Sequence, residues 1–252
     1  MKKFALLLTL ALPMVIASCG DDNDVTLSLN QSNITVNYDG TATLTASEKN
    51  VNWSSDNEFV ATVDKDGKVE GQHVGTCTIT ATKNGETATC TVNVVPTDNS
   101  FKMPYLVWHA TKQQIINNFT GFQLRENNDE NSVAYFTNVA NSTLPGYLYS
   151  LNNGNYTGLY QSTLLVDEDD SLKAYQWLEQ YYNEVSTDND EDFIYADKDK
   201  NEVAVLGAIV DEDGETVLGW GAFWTAPDYT STKSVNAVKE GKVAARNLLK
   251  NK

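Results

Sequence analysis

The chain has 252 residues, with 34 acidic and 18 basic side chains, and its formal net charge is −16 at pH 7. Proteins that bind nucleic acid present a basic surface, whereas this excess of carboxylates is repelled by phosphate groups. The composition therefore argues against a nucleic-acid partner and favours a protein that works outside the cytoplasm.

Residues 1–18 have the pattern of a targeting segment. Lys2 and Lys3 precede an apolar run, Phe4–Ile16, that is too short to span a bilayer. The run ends in Ile16-Ala17-Ser18-Cys19, which resembles the lipobox of bacterial lipoproteins. This resemblance implies cleavage before Cys19 and a lipid anchor on that cysteine. The alternative is an ordinary signal peptide followed by a chance cysteine.

Residues 19–24 continue as a short acidic tether, in which Gly20-Asp21-Asp22-Asn23-Asp24 follows the cysteine. The tether resembles the export signal of Bacteroidota surface lipoproteins. The resemblance implies a lipid-anchored protein of the outer membrane that is exposed at the cell surface. A solvated, charged spacer is a compatible interpretation.

Residues 25–96 alternate short apolar runs with turn pairs, which predicts an all-β domain. A two-residue turn at Asn84-Gly85 would pair Ile79 with Cys90 and Cys77 with Val92. One face of this hairpin is then apolar, and the other carries only threonine: Thr78, Thr80, Thr82, Thr87, Thr89 and Thr91.

Several segments of this stretch resemble the group 2 bacterial immunoglobulin-like (Ig-like) domain. They are Trp53-Ser54-Ser55, Val60–Asp64, Gly67-Lys68-Val69, Gly75-Thr76 and Ile79–Thr82. The resemblance implies an Ig-like sandwich that serves as a spacer or adhesin stalk. We expect Trp53 to anchor its core.

Cys77 and Cys90 share the apolar face of the hairpin but lie diagonally across it. Diagonal Cβ atoms are about 7 Å apart, whereas a disulfide needs about 3.8 Å. We therefore expect free, buried thiols, with a disulfide as the alternative because the compartment is oxidising.

Residues 97–100 form a linker, and 101–230 form a second domain. Thr111 is a candidate N-cap for a first helix, and Asp169, Asp170 or Ser171 for a second. The second helix would bury an apolar stripe comprising Leu172, Tyr175, Leu178, Tyr182 and Val185. Strands are predicted at 122–124, 133–137, 147–151, 159–166, 193–196, 203–210 and 216–224. We expect a multidomain chain, with the sandwich followed by an α+β domain whose helices pack on one face of an antiparallel sheet.

The last two predicted strands form a hairpin about Asp213-Gly214. A two-residue turn there would pair Gly207 with Trp220 and Ile209 with Leu218. Both faces of the hairpin are apolar, so we expect it at the buried centre of the sheet, with a further element covering the face opposite the helices.

Residues 231–252 carry six basic side chains against Glu240 in an otherwise acidic chain. We expect a basic C-terminal helix, loosely docked or exposed, with Val235, Val238, Ala245 and Leu249 along one face. Gly241 weakens this helix.

No catalytic motif is present in the sequence. His73 and His109 lack the partners of a catalytic triad or of a metal site. The acidic run Asp188–Asp192 has an EF-hand-like spacing, but Phe193 stands where the glycine is required. We expect no enzyme activity, no cofactor and no metal.

The aromatic residues suggest a ligand site, since exposed Trp and Tyr serve as platforms for sugars. Trp177, Tyr181 and Tyr160 are the candidate ligand-binding residues, and packing in the core is the alternative role. Asp170-Ser171-Leu172 resembles the Bacteroidota O-glycosylation motif, which makes Ser171 a candidate glycosylation site and competes with its role as a helix cap.

The functional hypothesis is a cell-surface lipoprotein in which an Ig-like spacer presents a C-terminal domain for adhesion to a glycan or protein ligand. One alternative is an undetected enzyme domain on a lipoprotein stalk. Another is a structural or inhibitor protein that faces the periplasm.

Overall fold

The computed structural model describes residues 26–125, 131–138, 143–152, 157–188, 192–198, 202–227 and 231–250. Cys19 and the predicted signal and tether lie outside these ranges. The described part of the chain is mostly β-sheet and begins with an all-β sandwich.

Seven short strands form this sandwich: β1 (Asn33–Asn37), β2 (Thr41–Thr43), β3 (Asn52–Ser55), β4 (Ala61–Val63), β5 (Lys68–Gly71), β6 (Gly75–Lys83) and β7 (Glu86–Val95). One sheet has the strand order β1-β7-β6-β3 and the other β2-β5-β4. Alternate residues of both sheets point inward, and Val69, Ile79 and Val92 are fully buried between them. Trp53 is half-buried and packs against this core.

The β6–β7 hairpin has the predicted register, with Ile79 opposite Cys90 and Cys77 opposite Val92. Asn84 and Gly85 adopt φ values of +50° and +90°, as a two-residue hairpin turn requires. The turn and the alternation of apolar residues with threonine specify the same register, so the prediction for this hairpin is confirmed.

Cys77 and Cys90 are free and buried, as predicted. Burial raises the pKa of both thiols, which keeps them protonated at neutral pH. The two cysteines therefore contribute to the core of the sandwich as small apolar side chains.

The second part of the chain contains α1 (Lys112–Asn118), β8 (Gln123–Arg125), β9 (Ser132–Asn138), β10 (Thr143–Leu151), β11 (Leu159–Val166), α2 (Ser171–Glu179), β12 (Asn183–Asp188), β13 (Asp192–Ala196), β14 (Val203–Val210), β15 (Val217–Thr225) and α3 (Ser231–Lys250). Its strands form one sheet in the order β12-β13-β14-β15-β11-β10-β9-β8. Every pairing is antiparallel, and the β14–β15 hairpin lies near the centre, as predicted.

The first helix, α1, begins where the sequence predicts. The Thr111 hydroxyl accepts from the backbone N–H of Gln114, and the Gln114 side chain accepts from the N–H of Thr111 at 2.8 Å. This reciprocal capping box satisfies two backbone donors that a helix start leaves unpaired.

The second helix, α2, buries the predicted face only in part. Its buried residues are Ala174, Trp177 and Leu178, whereas Leu172 is 64% exposed. The predicted stripe extended to Val185, but the helix ends at Glu179, and Val185 lies on the edge strand β12. Leu178 and Tyr182 are buried as predicted, but Leu172 and Val185 are exposed, so the predicted stripe is confirmed only in part.

The eight-stranded sheet has a separate apolar core on each face. Tyr147, Tyr149 and Trp224 pack on one face together with residues of α1 and α2. The opposite face carries Leu165 and Phe223 and is covered by α3. The sequence predicted that a further element covers this second face, and the structure shows that the element is the C-terminal helix α3.

The helix α3 is firmly packed, so the prediction of a loosely docked or exposed helix is wrong. Ala245 and Leu249 are buried against the sheet. A side chain at Gly241 would collide with the amide of Gln161, which explains why glycine is tolerated within this helix. The Arg246 Nε atom also donates to the Val210 carbonyl at 2.7 Å.

The β14–β15 register differs from the prediction by one residue. Gly207 lies opposite Gly221, not Trp220, and Ala208 takes the place opposite Trp220. The register shifts between Ile209 and Val210, where a β-bulge adds one residue to the pairing. Since both faces of this hairpin are apolar, the sequence pattern did not distinguish the two registers.

Candidate functional site

The predicted ligand-binding residue Trp177 is fully buried, so the expectation that it is exposed is wrong. Its ring makes edge contacts with Phe101 and Trp224, at centroid distances of 5.9 and 6.5 Å. Trp177 follows Ala174 by one helical turn and therefore lies on the buried face of α2. A ligand at the surface has no access to it.

The other two aromatic candidates also pack into the protein. Tyr160 is 8% exposed. Tyr181 is half-buried, with its ring 5.1 Å from that of Trp177. The structure thus brings Tyr181 and Trp177 together as core neighbours and gives no open aromatic platform at these three residues.

Ser171, the candidate glycosylation site, is half-buried at the start of α2. A short 3-10 helix at Glu168–Asp170 leads into it, and the Asp170 side chain makes no capping hydrogen bond. A backbone turn therefore replaces the predicted side-chain cap.

The functional group that sequence reasoning missed is Gln180, at the junction of the two parts of the chain. Its side chain is 2% exposed. Its Oε1 accepts from the backbone N–H groups of Thr97 and Asp98, at 2.7 and 3.1 Å, and from the Thr97 hydroxyl at 3.1 Å. Its Nε2 donates to the Asp98 carbonyl at 3.3 Å. The first two residues of the predicted linker are thus bound by one buried amide.

Gln180 also contacts the sandwich directly. Its backbone carbonyl accepts from the N–H of Val74, which lies between β5 and β6, at 2.7 Å. Nothing in the sequence marks this residue, because a glutamine at a helix end is ordinary. Its role is revealed only by the folded structure, in which Gln180 contacts Thr97 and Asp98, 83 and 82 positions away in the sequence.

Two tyrosines flank this junction, and both remain protonated. Burial raises the pKa of Tyr38 in the sandwich, and the nearby carboxylates of Asp39 and Glu179 raise it further. Burial and then Asp98 raise the pKa of Tyr181 in the same way.

One carboxyl group of the second part lies in an unusual setting. Burial raises the pKa of Glu202, and Asp197 raises it further, while a hydrogen bond with Tyr182 partly opposes the shift. The Tyr182 hydroxyl also accepts from Trp224 Nε1 at 3.2 Å. A half-buried acid with a raised pKa is a chemical feature of active sites, but structural networks produce it as well.

The two histidines lie apart from the Glu202–Tyr182–Trp224 group and make separate contacts. His73 stacks on Phe59 at 3.9 Å between ring centroids, within the sandwich. His109 has its Nδ1 3.3 Å from the Thr157 carbonyl oxygen. In the described ranges, no cluster of His, Cys, Asp and Glu is placed to hold a metal ion.

Among the helices that the structure describes, none is long and apolar enough to cross a membrane. The predicted signal segment is outside the ranges searched.

Comparison with known proteins identifies the first part of the chain. Residues 22–92 match the family model of the bacterial Ig-like domain (group 2). An uncharacterized protein of Clostridium acetobutylicum is 38% identical over 101 residues, which are 34% of this chain but only 10% of that relative.

Two solved structures illustrate more distant similarity. An intimin mutant from EHEC O157:H7 has 19% identity and a TM-score of 0.23, covering 40% of this chain and 74% of intimin's. Domains 5–6 of the S-layer protein SbsC have 16% identity and a TM-score of 0.24, covering 80% and 83% of the two chains. The family match and the two-sheet sandwich agree on the identity of the first part: residues 22–92 are a bacterial Ig-like domain of group 2.

Proposed function

We propose that this chain is a cell-surface lipoprotein, anchored in the outer membrane through an acylated Cys19. The Ig-like domain holds away from the membrane an α+β second domain, 101–230, that binds a glycan or protein ligand. The lipobox-like segment and the acidic tether support the anchoring part of the proposal.

The observation that carries the proposal is the bound linker. A spacer directs a binding domain only if the two are rigidly joined, because a flexible linker leaves their relative orientation free. Here Gln180 ties Thr97 and Asp98 to α2, and its carbonyl ties Val74 of the Ig-like domain to the same residue. Each such hydrogen bond contributes about 0.5–1.5 kcal/mol net to holding the domains together.

Surface display is tested with cells that produce the full chain. Protease added to intact cells should degrade the second domain, while a periplasmic control protein remains whole. The Cys19→Ala variant should be released from the membrane fraction or stay unprocessed. Protection of the chain in intact cells, or membrane attachment and normal maturation of the Ala variant, would contradict the proposal.

The role of the junction is tested with Gln180→Ala, against Gln176→Ala as a matched control on the exposed face of the same helix. We expect residual dipolar couplings to report one common alignment of both domains in the parent and in the control. Gln180→Ala should give the domains separate alignments. A common alignment in all three proteins would show that the Gln180 side chain does not hold the joint.

A further inference from the structure

The outward face of the four-stranded sheet of the Ig-like domain is a regular array of neutral side chains, here called the threonine face. At its centre, threonines of β6 and β7 lie directly opposite one another, as Thr78–Thr91, Thr80–Thr89 and Thr82–Thr87. Ser54 and Asn52 of β3 extend two of these rows, and Asn33 of β1 extends the third. All of these residues are exposed or half-buried.

The threonine face lacks charge although the chain carries a net charge of −16. No outward residue of β1, β7, β6 or β3 is acidic or basic. At its border, one Asp56 carboxylate oxygen accepts from the backbone N–H of Thr78 at 2.8 Å. The outward face of the other sheet carries Lys68 and Glu70, both exposed, so the two faces of one small domain differ in charge.

The chemistry of the threonine face matches a ligand that is itself rich in hydroxyl groups. Hydroxyl and amide side chains both donate and accept hydrogen bonds, as sugar hydroxyls do. Neighbouring strands place these groups about 4.8 Å apart, and alternate residues along a strand place them about 6.8 Å apart. A neutral ligand can form hydrogen bonds across the array without removing a charged group from water, which is costly.

The face fits other partners less well. An anionic polymer would be repelled by the negative charge of a strongly acidic chain. Protein interfaces are typically enriched in aromatic residues, methionine and arginine at their centre, and the outward positions of these four strands have none. A second copy of the chain would bring its own charge of −16 to the contact.

We propose that the threonine face binds a neutral polysaccharide. This inference rests on the proposed surface display and adds a glycan contact on the Ig-like domain itself. Trp177, Tyr181 and Tyr160, in the second part of the chain, form no open aromatic platform. Such binding uses many weak hydrogen bonds on an extended chain, so it should strengthen with the length of the polysaccharide.

The test uses the full chain and a panel of neutral polysaccharides, namely cellulose, chitin, starch and xylan, with heparin as an anionic control. The paired variant Thr80→Val/Thr89→Val removes two opposed hydroxyl groups while keeping β-branched side chains of similar shape. The matched control is Thr41→Val/Thr43→Val, which makes the same change on β2 of the other sheet. Melting curves check that both variants remain folded.

We expect the parent to bind at least one neutral polysaccharide, and Thr80→Val/Thr89→Val to bind it about tenfold more weakly, with the control unchanged. Amide shifts on titration with a soluble oligosaccharide should concentrate on β6 and β7. Absence of binding across the panel, equal binding by all three proteins, or preferred binding to heparin would each overturn the inference. So would a parent dimer, seen in sedimentation, that the β6–β7 variant abolishes.

The outcomes separate this inference from the proposed function. If the parent binds a polysaccharide but its shifts fall within 101–230, the proposed function stands and the threonine face is not the site. If the β6–β7 variant loses binding while protease leaves the chain intact on cells, the face is the site and surface display is wrong.

Discussion

Gly207 offers a sharp test of how the second part of the chain is assembled. It lies on β14 opposite Asp192 of β13 and Gly221 of β15. Lys242 of α3 reaches across it to Asp192, with its Nζ 2.7 and 3.1 Å from the two carboxylate oxygens. Because Gly207 has no side chain, there is room beside it for the Lys242–Asp192 ion pair that joins the helix to the sheet.

A methyl group at this position would disrupt that contact. In Gly207→Ala the new Cβ would overlap the Asp192 Oδ1 atom and lie 2.8 Å from its Cγ and 3.0 Å from the Lys242 Nζ. Overpacking of this kind typically costs about 1–3 kcal/mol. The ion pair, with side chains 24% and 27% exposed, adds at most about 1 kcal/mol when it is lost. We therefore expect unfolding free energies lower by roughly 1–4 kcal/mol, measured by urea denaturation.

The control is the same substitution without the carboxylate. In an Asp192→Ala background the carboxylate that the methyl group would overlap is gone, and only the end of the flexible Lys242 side chain lies close to it. Alanine is favoured over glycine in a strand by about 0.5–1 kcal/mol. Gly207→Ala should thus destabilise the parent and be neutral or stabilising in Asp192→Ala. Equal destabilisation in both backgrounds would show that the Asp192–Lys242 contact does not set the requirement for glycine.

Three further outcomes are expected. The pKa of Glu202 is raised in the folded state, so its stabilising contribution is full below the unfolded pKa of 4.5 and is lost as pH rises through the folded pKa. Glu202→Gln should therefore stabilise the chain at neutral pH and lose this advantage below pH 4.5. A stability difference that does not depend on pH would contradict the assignment. Trp177→Ala should cost about 3–5 kcal/mol by denaturation, and a cost below about 1 kcal/mol would mean that the ring is not buried. Cys77 and Cys90 should resist thiol reagents in the folded protein and both react in denaturant without a reductant; a missing pair of thiols would indicate a disulfide.

The β6–β7 hairpin could be predicted from the sequence because two local signals agree. Asn84-Gly85 supplies a turn of fixed length, and the alternation of apolar residues with threonine allows one register only. The start of α1 was predictable for a similar reason, since Thr111 and Gln114 form a self-contained cap within four residues. Such features need no knowledge of the rest of the fold.

The errors arose where long-range contacts decide the structure. The burial of Trp177 depends on the point at which α2 ends and on aromatic partners far away in sequence, such as Phe101 and Trp224. The linker, polar by composition, is bound because Gln180 lies beside it in the folded chain. Neither the burial of Trp177 nor the binding of the linker can be predicted from a local periodicity in the sequence.

The bulge in the β14–β15 pairing, where Leu218 of β15 is the extra residue, and the basic helix α3 belong together, although the sequence presents them as unrelated features. Strands that are apolar on both faces need a cover on each side, and α3 supplies the second one through Ala245 and Leu249. A bulge interrupts the ladder of backbone hydrogen bonds at Val210, and the Arg246 Nε donates to that residue's carbonyl. One turn earlier, Lys242 pairs with Asp192. Two of the basic residues that stand out in an acidic chain are thus used internally: Lys242 pairs with the sheet at Asp192, and Arg246 binds it beside the irregular strand pairing.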